Sequence, residues 1–340
     1  MPSFSLARFL LSCWYLACCC LLAGQSFAQD SVTFKTEDGQ TKTRKGRITN
    51  WLGKEITLNE RGRIRTINAE QVINFKTQWS DDLRQAREQV ANNDFRNAIA
   101  TYNRAIENEQ RDWIKSLMLA ELVQVFDTLE APSQSIRKFL QLYQLDSQTR
   151  FFFLIPLSWS ASGAKSPPES DTAKWMEAKN NLLRLLGASW QLSGSQRGKA
   201  VTVLENLASD SDPRIAQLAA TQLWRTRVFS AKQPDVERWQ RQIESIDSKL
   251  RAGPLVVLAD AQQRNGLAKQ AQISLLKVPI LFPEKKSLAA FALFRCGSIR
   301  EDNKNEASSN KPNENAFSIW QELIRDYPAS QYAELARGKL

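Results

Sequence analysis

The sequence contains no histidine. This removes histidine general bases, Ser-His and Cys-His nucleophilic pairs and every His-ligated metal site. Cysteine is nearly as scarce: Cys13, Cys18, Cys19 and Cys20 crowd the start, and only Cys296 follows. A single downstream thiol can form no intramolecular disulfide and no thiolate zinc or iron–sulfur site, so a chain this long must rest on a packed core. Cys296 sits in the apolar helical context Leu293-Phe-Arg-Cys-Gly297, which reads as an inert buried thiol. No GxSxG, GxGxxG or acidic calcium loop is present. Gly194-Ser-Gln-Arg-Gly198-Lys199 is one residue too short between its glycines for a phosphate loop. It also lacks the final Ser or Thr and follows a helical pattern, so it reads as a helix-to-helix turn. No cofactor and no metal are expected.

Charge is missing from the first residues, where Arg8 stands alone before Asp30. An apolar run over 9–23 precedes Ser26-Phe27-Ala28, small residues at the two positions that set cleavage. This reads as a secretory signal over 1–28, cut to leave Gln29 first. An uncleaved anchor is the alternative, but about 15 apolar residues are short for a span. A lipoprotein at Cys18, Cys19 or Cys20 is a third reading, against a poor Tyr15-Leu16-Ala17 lead-in. No later run could cross a bilayer, so the expected location is exported, periplasmic or secreted.

What the chain has is basic charge and helical periodicity. Lys and Arg exceed Asp and Glu, 46 to 36, for a net charge of +10. An exported protein of this balance either solvates its helix faces or is drawn to anionic surfaces. The segment 30–79 alternates short β-branched runs with Gly and Asn turns: Val32-Thr-Phe-Lys, Gly46-Arg-Ile48, Glu55-Ile-Thr-Leu58, Arg63-Ile-Arg-Thr-Ile67 and Val72-Ile-Asn-Phe-Lys76. Five strands in so few residues predict a small closed barrel, since closure removes exposed edges. Its layout, an early Gly-x-Ile and then a short strand pair, resembles the Sm-like barrels. That resemblance implies RNA binding, which an exported chain rarely meets; no nucleic acid is expected. Arg44, Arg47, Arg63 and Arg65 are the candidate anionic contacts, with Arg63 and Arg65 on one strand face opposite Ile64.

Helical spacing rules from Ser80 onward. Residues 80–147 and 252–340 carry one pattern: Ala98, Tyr102, Ala105; then Ala271, Leu275, Val278 and Pro283; then Ala316, Trp320, Leu323 and Pro328. Small Ala259 and the Asn265-Gly266 turn belong to the middle copy. These offsets resemble the tetratricopeptide repeat, of the kind found in bacterial envelope proteins. The resemblance implies stacked helical hairpins with a concave surface that binds peptides. Between the two lie an apolar segment and linker, 148–170, with Phe151-Phe-Phe-Leu-Ile-Pro156-Leu-Ser-Trp159 pressed in extended form onto the repeats. A helical block follows at 171–251. In it, Asp210-Ser-Asp-Pro-Arg214 opening an Ala-rich helix resembles a HEAT-type hairpin. Residues 300–315 are polar and predict a disordered insertion, and Gln331 to Lys339 predict a capping helix. Nine tryptophans follow the leader, six of them within helical apolar patterns, which assigns them to packing.

The expected fold is therefore mainly α, a solenoid of tetratricopeptide-like hairpins behind a small N-terminal β barrel. The expected function is an exported, non-enzymatic scaffold for protein–protein interaction in the cell envelope. Its partner would be a protein or peptide, and its groove would include Asn92, Gln262 and Gln263. One alternative is a charge-driven binder of an anionic envelope polymer or membrane surface. A second is a cell-wall enzyme using a Glu, for which Glu244-Ser245 is the only lead, in a plain helix without a Gly-rich loop.

Overall fold

The computed structural model describes residues 29–159, 165–305 and 314–340. The expected leader at 1–28 lies outside them, as do 160–164 of the expected linker and 306–313 of the expected insertion.

Six strands open the described chain: β1 Ser31–Lys35, β2 Thr41–Lys45, β3 Arg47–Asn50, β4 Glu55–Glu60, β5 Arg63–Asn68 and β6 Val72–Lys76. The strand absent from the sequence reading is β2, whose residues Thr-Lys-Thr-Arg-Lys include no apolar side chain. It is held by backbone pairing to β1 alone.

The closed barrel is not formed. The strands lie in two open antiparallel sheets, ordered β2-β1-β6 and β3-β4-β5. The chain passes from one to the other at Gly46, where a Cβ would fall 2.6 Å from the Asn59 carbonyl oxygen. Asp30 ties this corner by accepting Gly46 N–H at its backbone oxygen (2.9 Å) and Ile48 N–H at Oδ2 (2.8 Å). Closure is unnecessary because helices cover the open side. Val32, Ile48, Ile56 and Leu58 share one core with Leu83, Trp113 and Met118.

The alternation read in β5 is present, but it does not tell which face is buried. Arg63 and Arg65 do alternate with Ile64, but the apolar face is the one that carries Ile67, opposite Ile56. Arg65 therefore projects from the Ile67 face, opposite Leu58, and its guanidinium reaches Glu60. Ile64 faces solvent at 60% exposure.

Fourteen α-helices follow among the described residues: α1 Asp81–Ala91, α2 Phe95–Asn108, α3 Asp112–Thr128, α4 Pro132–Leu145, α5 Glu169–Met176, α6 Asn181–Gln191, α7 Arg197–Leu207, α8 Pro213–Arg227, α9 Gln233–Ser245, α10 Ala252–Arg264, α11 Ala268–Leu281, α12 Lys286–Asn305, α13 Glu314–Asp326 and α14 Gln331–Arg337. Their starts are legible residue by residue. Ser80, Asp94, Asn180, Asp212 and Ser330 each cap a helix with a side-chain oxygen on a first-turn N–H. Turns between paired helices use residues that tolerate positive φ, including Asn93 and Gly266. All nine Ala, Tyr, Leu, Val and Trp side chains of the repeat pattern are buried, and so is Ala259. The helix α12 runs on through Asn305, so the polar stretch expected to leave the helix at Arg300 begins within it.

One helix, α3, holds the stack together. It is apolar around most of its circumference and belongs to two cores. Trp113, Met118 and Leu122 face the sheets, whereas Leu119, Ala120 and Val123 face the remaining helices. On the same helix, Glu121 accepts from Arg87 Nη2 (2.7 Å) and from the Tyr102 hydroxyl (2.8 Å), joining α1, α2 and α3. Burial, then the Glu121 charge, raises the Tyr102 phenol well above its ordinary value.

The C-terminal hairpins return to the end of α3. Asp127 accepts from Ser287 N–H (3.1 Å) and Ser287 hydroxyl (2.6 Å) at the start of α12. Glu130 Oε1 accepts from the Ser330 hydroxyl (2.6 Å) and Gln331 N–H (3.2 Å) at the start of α14. Two carboxylates thus meet two positive helix ends and close the stack on itself. Removing one such cap should be felt: Asp127→Ala is expected to cost about 1 kcal/mol, read as a lower urea midpoint at unchanged slope. The lone downstream thiol sits in this same core. Cys296 is fully buried, and burial pushes its pKa up to about 11. A thiol reagent at pH 8 should leave it unmodified in the folded protein and label it fully in denaturant.

Candidate functional site

The interior of the helical stack is the natural place for a site, and it is occupied by the chain itself. After a 3-10 turn at Phe152–Leu154, residues 155–159 run without helix or strand between α6, α8, α10 and α12. Pro156 removes a backbone donor and fixes its own φ, so this apolar run cannot continue as helix. Phe152, Leu154, Ile155 and Leu157 are buried in the large core.

The backbone of this strap is held from several helices at once. Ser158 N–H donates to Ser189 Oγ (3.0 Å), and the Trp190 indole donates to the Pro156 carbonyl (3.1 Å). The Ser158 carbonyl accepts from Gln222 Nε2 (3.0 Å) and Arg225 Nη1 (2.9 Å). Lys285 Nζ donates to the Ile155 carbonyl (3.2 Å). At the end of the strap, the Trp159 ring lies where a Cβ on Gly253 would be, 2.0 Å from its Cε2. Only glycine at 253 allows that approach. This is how a groove takes an extended peptide: backbone bonds for hold, apolar pockets for alternate side chains.

Two cations in this interior are perturbed. The Arg225 guanidinium also donates to the Ser189 carbonyl (2.8 Å) and Gln222 Oε1 (2.7 Å). Burial, with Arg197 adding repulsion, brings it down to about 10. Lys285 is half-buried as a residue but its ammonium is enclosed, and that enclosure brings it down to about 8 against the pull of Asp127 and Glu284. Next to the strap, a cavity of ≈120 Å³ remains between Phe126, Ala131, Leu288 and Phe291.

The residues expected to line the groove are not brought together. Gln262 is buried, and its Oε1 accepts from Ser274 (2.8 Å), so it cannot meet a partner. The reason is that α10 is apolar almost all round and enclosed by its neighbours. Gln263 is half-buried and accepts from Arg295 Nη2 (2.7 Å), which also pairs with Asp260. Asn92 is exposed, but at the C-cap of α1 in a hairpin turn. The candidate anionic contacts are split as well. Arg44 and Arg65 both reach Glu60, at 3.2 and 3.8 Å, whereas Arg47 and Arg63 are exposed. Glu244 is exposed on α9 beside Ser245, whose hydroxyl donates to the Gln242 carbonyl. Sequence reasoning missed Arg225, Lys285 and Gly253, because each matters only through a strap distant in sequence. The Arg in Leu223-Trp224-Arg225 of an apolar helix was the one available signal.

The outer face is different. On α11, Ile273, Ile280 and Leu281 are 50%, 72% and 58% exposed. They share one helix face with half-buried Leu276 and with exposed Lys269 and Lys277, and α11 carries no acidic residue. Single exposed apolar residues are ordinary, but a stripe along one helix marks a contact surface.

No family model matches the chain, and no curated protein matches it. Among solved structures, it is similar to PilW, described as a widely conserved type IV pilus biogenesis factor, at 15% identity over 75% of this chain and 96% of that one. The TM-score is 0.31, and a superposition at that level carries no argument about fold or partner. Among the described residues, no helix is long and apolar enough to cross a membrane, and no cluster of acidic or cysteine side chains could hold a metal ion.

Proposed function

We propose that this protein is a non-enzymatic helical-repeat scaffold that binds other proteins in the cell envelope. The observation that carries this reading is the apolar outer stripe of α11 on a stack whose interior is already filled by residues 155–159. A partner would therefore meet the outside of the hairpins rather than their concave side. Export rests on the N-terminal pattern of 1–28. The absence of histidine and the plain helical setting of Glu244 support a role without catalysis.

The test is a photo-crosslinking amino acid placed at Ile273, Ile280 or Leu281, with Gln262 as the buried control. Discrete crosslinked species from the stripe positions in the envelope, and none from Gln262, are expected. Silence at all three stripe positions sinks the reading. Incubating the protein with purified wall material addresses catalysis separately: no release of soluble fragments is expected, and release lost in Glu244→Gln would make it an enzyme.

A further inference from the structure

A second concave place lies away from the strap, between α8 and α9. Ala220, Leu223, Trp224 and Arg227 follow one another at helical spacing on α8, and Arg238, Trp239 and Gln242 share a face of α9. Together they bound an open pocket of ≈330 Å³, closed at one end by Ala208.

The two indoles stack in parallel, with centroids 5.1 Å apart and planes 4° apart. Trp224 is 7% and Trp239 2% exposed, so neither offers a ring face to a ligand. A sugar ring, which stacks on an open indole face, finds none here. Both indoles are among the residues that line the pocket. Neither N–H has a hydrogen-bond partner among the described residues, and neither is sealed from solvent as those of Trp51, Trp113 and Trp320 are.

The polar groups around the pocket are therefore almost all donors. Exposed Arg227 forms no ion pair among the described residues, and Arg238 spends one nitrogen on Asp235 (2.5 Å). Asp235 lies outside the pocket lining. The Lys232 backbone N–H holds its carboxyl below the ordinary range, with Arg238 and Arg227 adding to the effect. Two guanidinium groups and a Gln242 amide beside aliphatic and indole walls call for an acceptor that is anionic and attached to an apolar body.

We propose that this pocket binds the side-chain carboxylate of an acidic residue flanked by aliphatic ones in a partner peptide. This inference rests on the protein-binding reading, but uses a surface separate from the α11 stripe. Loss of crosslinking at Ile280 and loss of peptide binding here are thus independent results.

The experiment follows the indole N–H resonances of the full chain, assigned with Trp224→Phe and Trp239→Phe. The probes are an acetylated, amidated peptide containing Leu-Glu-Leu and the same peptide with Gln for Glu. The Glu peptide should shift both resonances with saturation, and the Gln peptide should bind about tenfold more weakly or not at all. Arg227→Gln and Arg238→Gln, at exposed positions, should each weaken the Glu peptide by a similar factor and leave the thermal midpoint unchanged. Equal effects of the two peptides overturn the proposal. So does silence at millimolar peptide. So does a site that saturates with inorganic phosphate or with vesicles containing phosphatidylglycerol but not with the Glu peptide.

Discussion

Arg225→Met should lower stability by about 2–4 kcal/mol and loosen residues 155–159. Arg225 donates to the Ser158 and Ser189 carbonyls and to Gln222 Oε1, all in the interior between α6, α8 and the strap. The Ser158 carbonyl keeps Gln222 as a donor, but among the described residues no other side chain donates to the Ser189 carbonyl. Each buried acceptor left without a donor costs about 1–3 kcal/mol, and lifting the penalty of an enclosed guanidinium returns part of that. Equilibrium urea unfolding measures the loss, and limited proteolysis reads the loosening, with new cuts at 151–159. Arg238→Met, at an exposed position, should stay within about 0.5 kcal/mol of the wild type. If Arg225→Met matched that control, the strap would be held by its apolar side chains alone.

Raising the pH from about 8 to 10.5 should stabilise the wild type relative to Lys285→Met by about 2–3 kcal/mol. Lys285 sits at about 8 in the folded protein and at an ordinary 10.5 when unfolded. Within that window the unfolded chain holds a proton the folded chain has released, so stability rises with pH. Below pH 8 both states carry the charge and the burial penalty is felt in full. Above 10.5 neither does, and the penalty is gone. Each unit of separation is worth about 1.4 kcal/mol. Denaturation at a series of pH values, wild type minus variant, isolates this group from other titrations. A difference that stays flat from pH 7 to 11 would mean that the ammonium is solvated and not enclosed beside the Ile155 carbonyl.

Both predictions concern the strap, and the strap marks where sequence reading succeeds and stops. The run from Phe151 to Trp159 announces itself, since nothing else after the leader is so apolar and Pro156 forbids a helix there. That it must be covered follows from hydrophobicity alone. What covers it does not follow. Ser189, Gln222, Arg225, Gly253 and Lys285 come from three helices and a helix-to-helix turn, up to 130 residues away. Apart from Arg225 beside Leu223 and Trp224, none is unusual in its own window. Gln262 shows the same limit from the other side. In sequence it is a polar residue on the first helix of a hairpin, the place where repeat grooves bind. In the folded chain the neighbours of α10 leave it no solvent, and it bonds to Ser274.

The β region repeats the lesson at short range. Period-two alternation placed Arg63 and Arg65 opposite Ile64 correctly, but which face is buried depends on what packs there. The cover came from α1 and α3, and their contact with Val32, Ile48 and Ile56 made a closed barrel unnecessary. The pocket between α8 and α9 was likewise invisible. Trp224 and Trp239 read as packing residues and do pack, yet they border one pocket with Arg227 and Arg238 only because the two helices lie side by side.

By itself the sequence determined the helix starts, the hairpin turns and the buried repeat positions, because caps, positive-φ turns and 3.6-residue spacing act within a few residues. It also determined the absence of histidine chemistry, which no fold can restore. Only the tertiary structure decided that the interior is filled by residues 155–159, that Asp127 and Glu130 close the stack, and that the open surfaces are the α11 stripe and the α8–α9 pocket. Those outcomes depend on which distant groups desolvate each other, and desolvation is a property of the assembled neighbours rather than of any local run of residues.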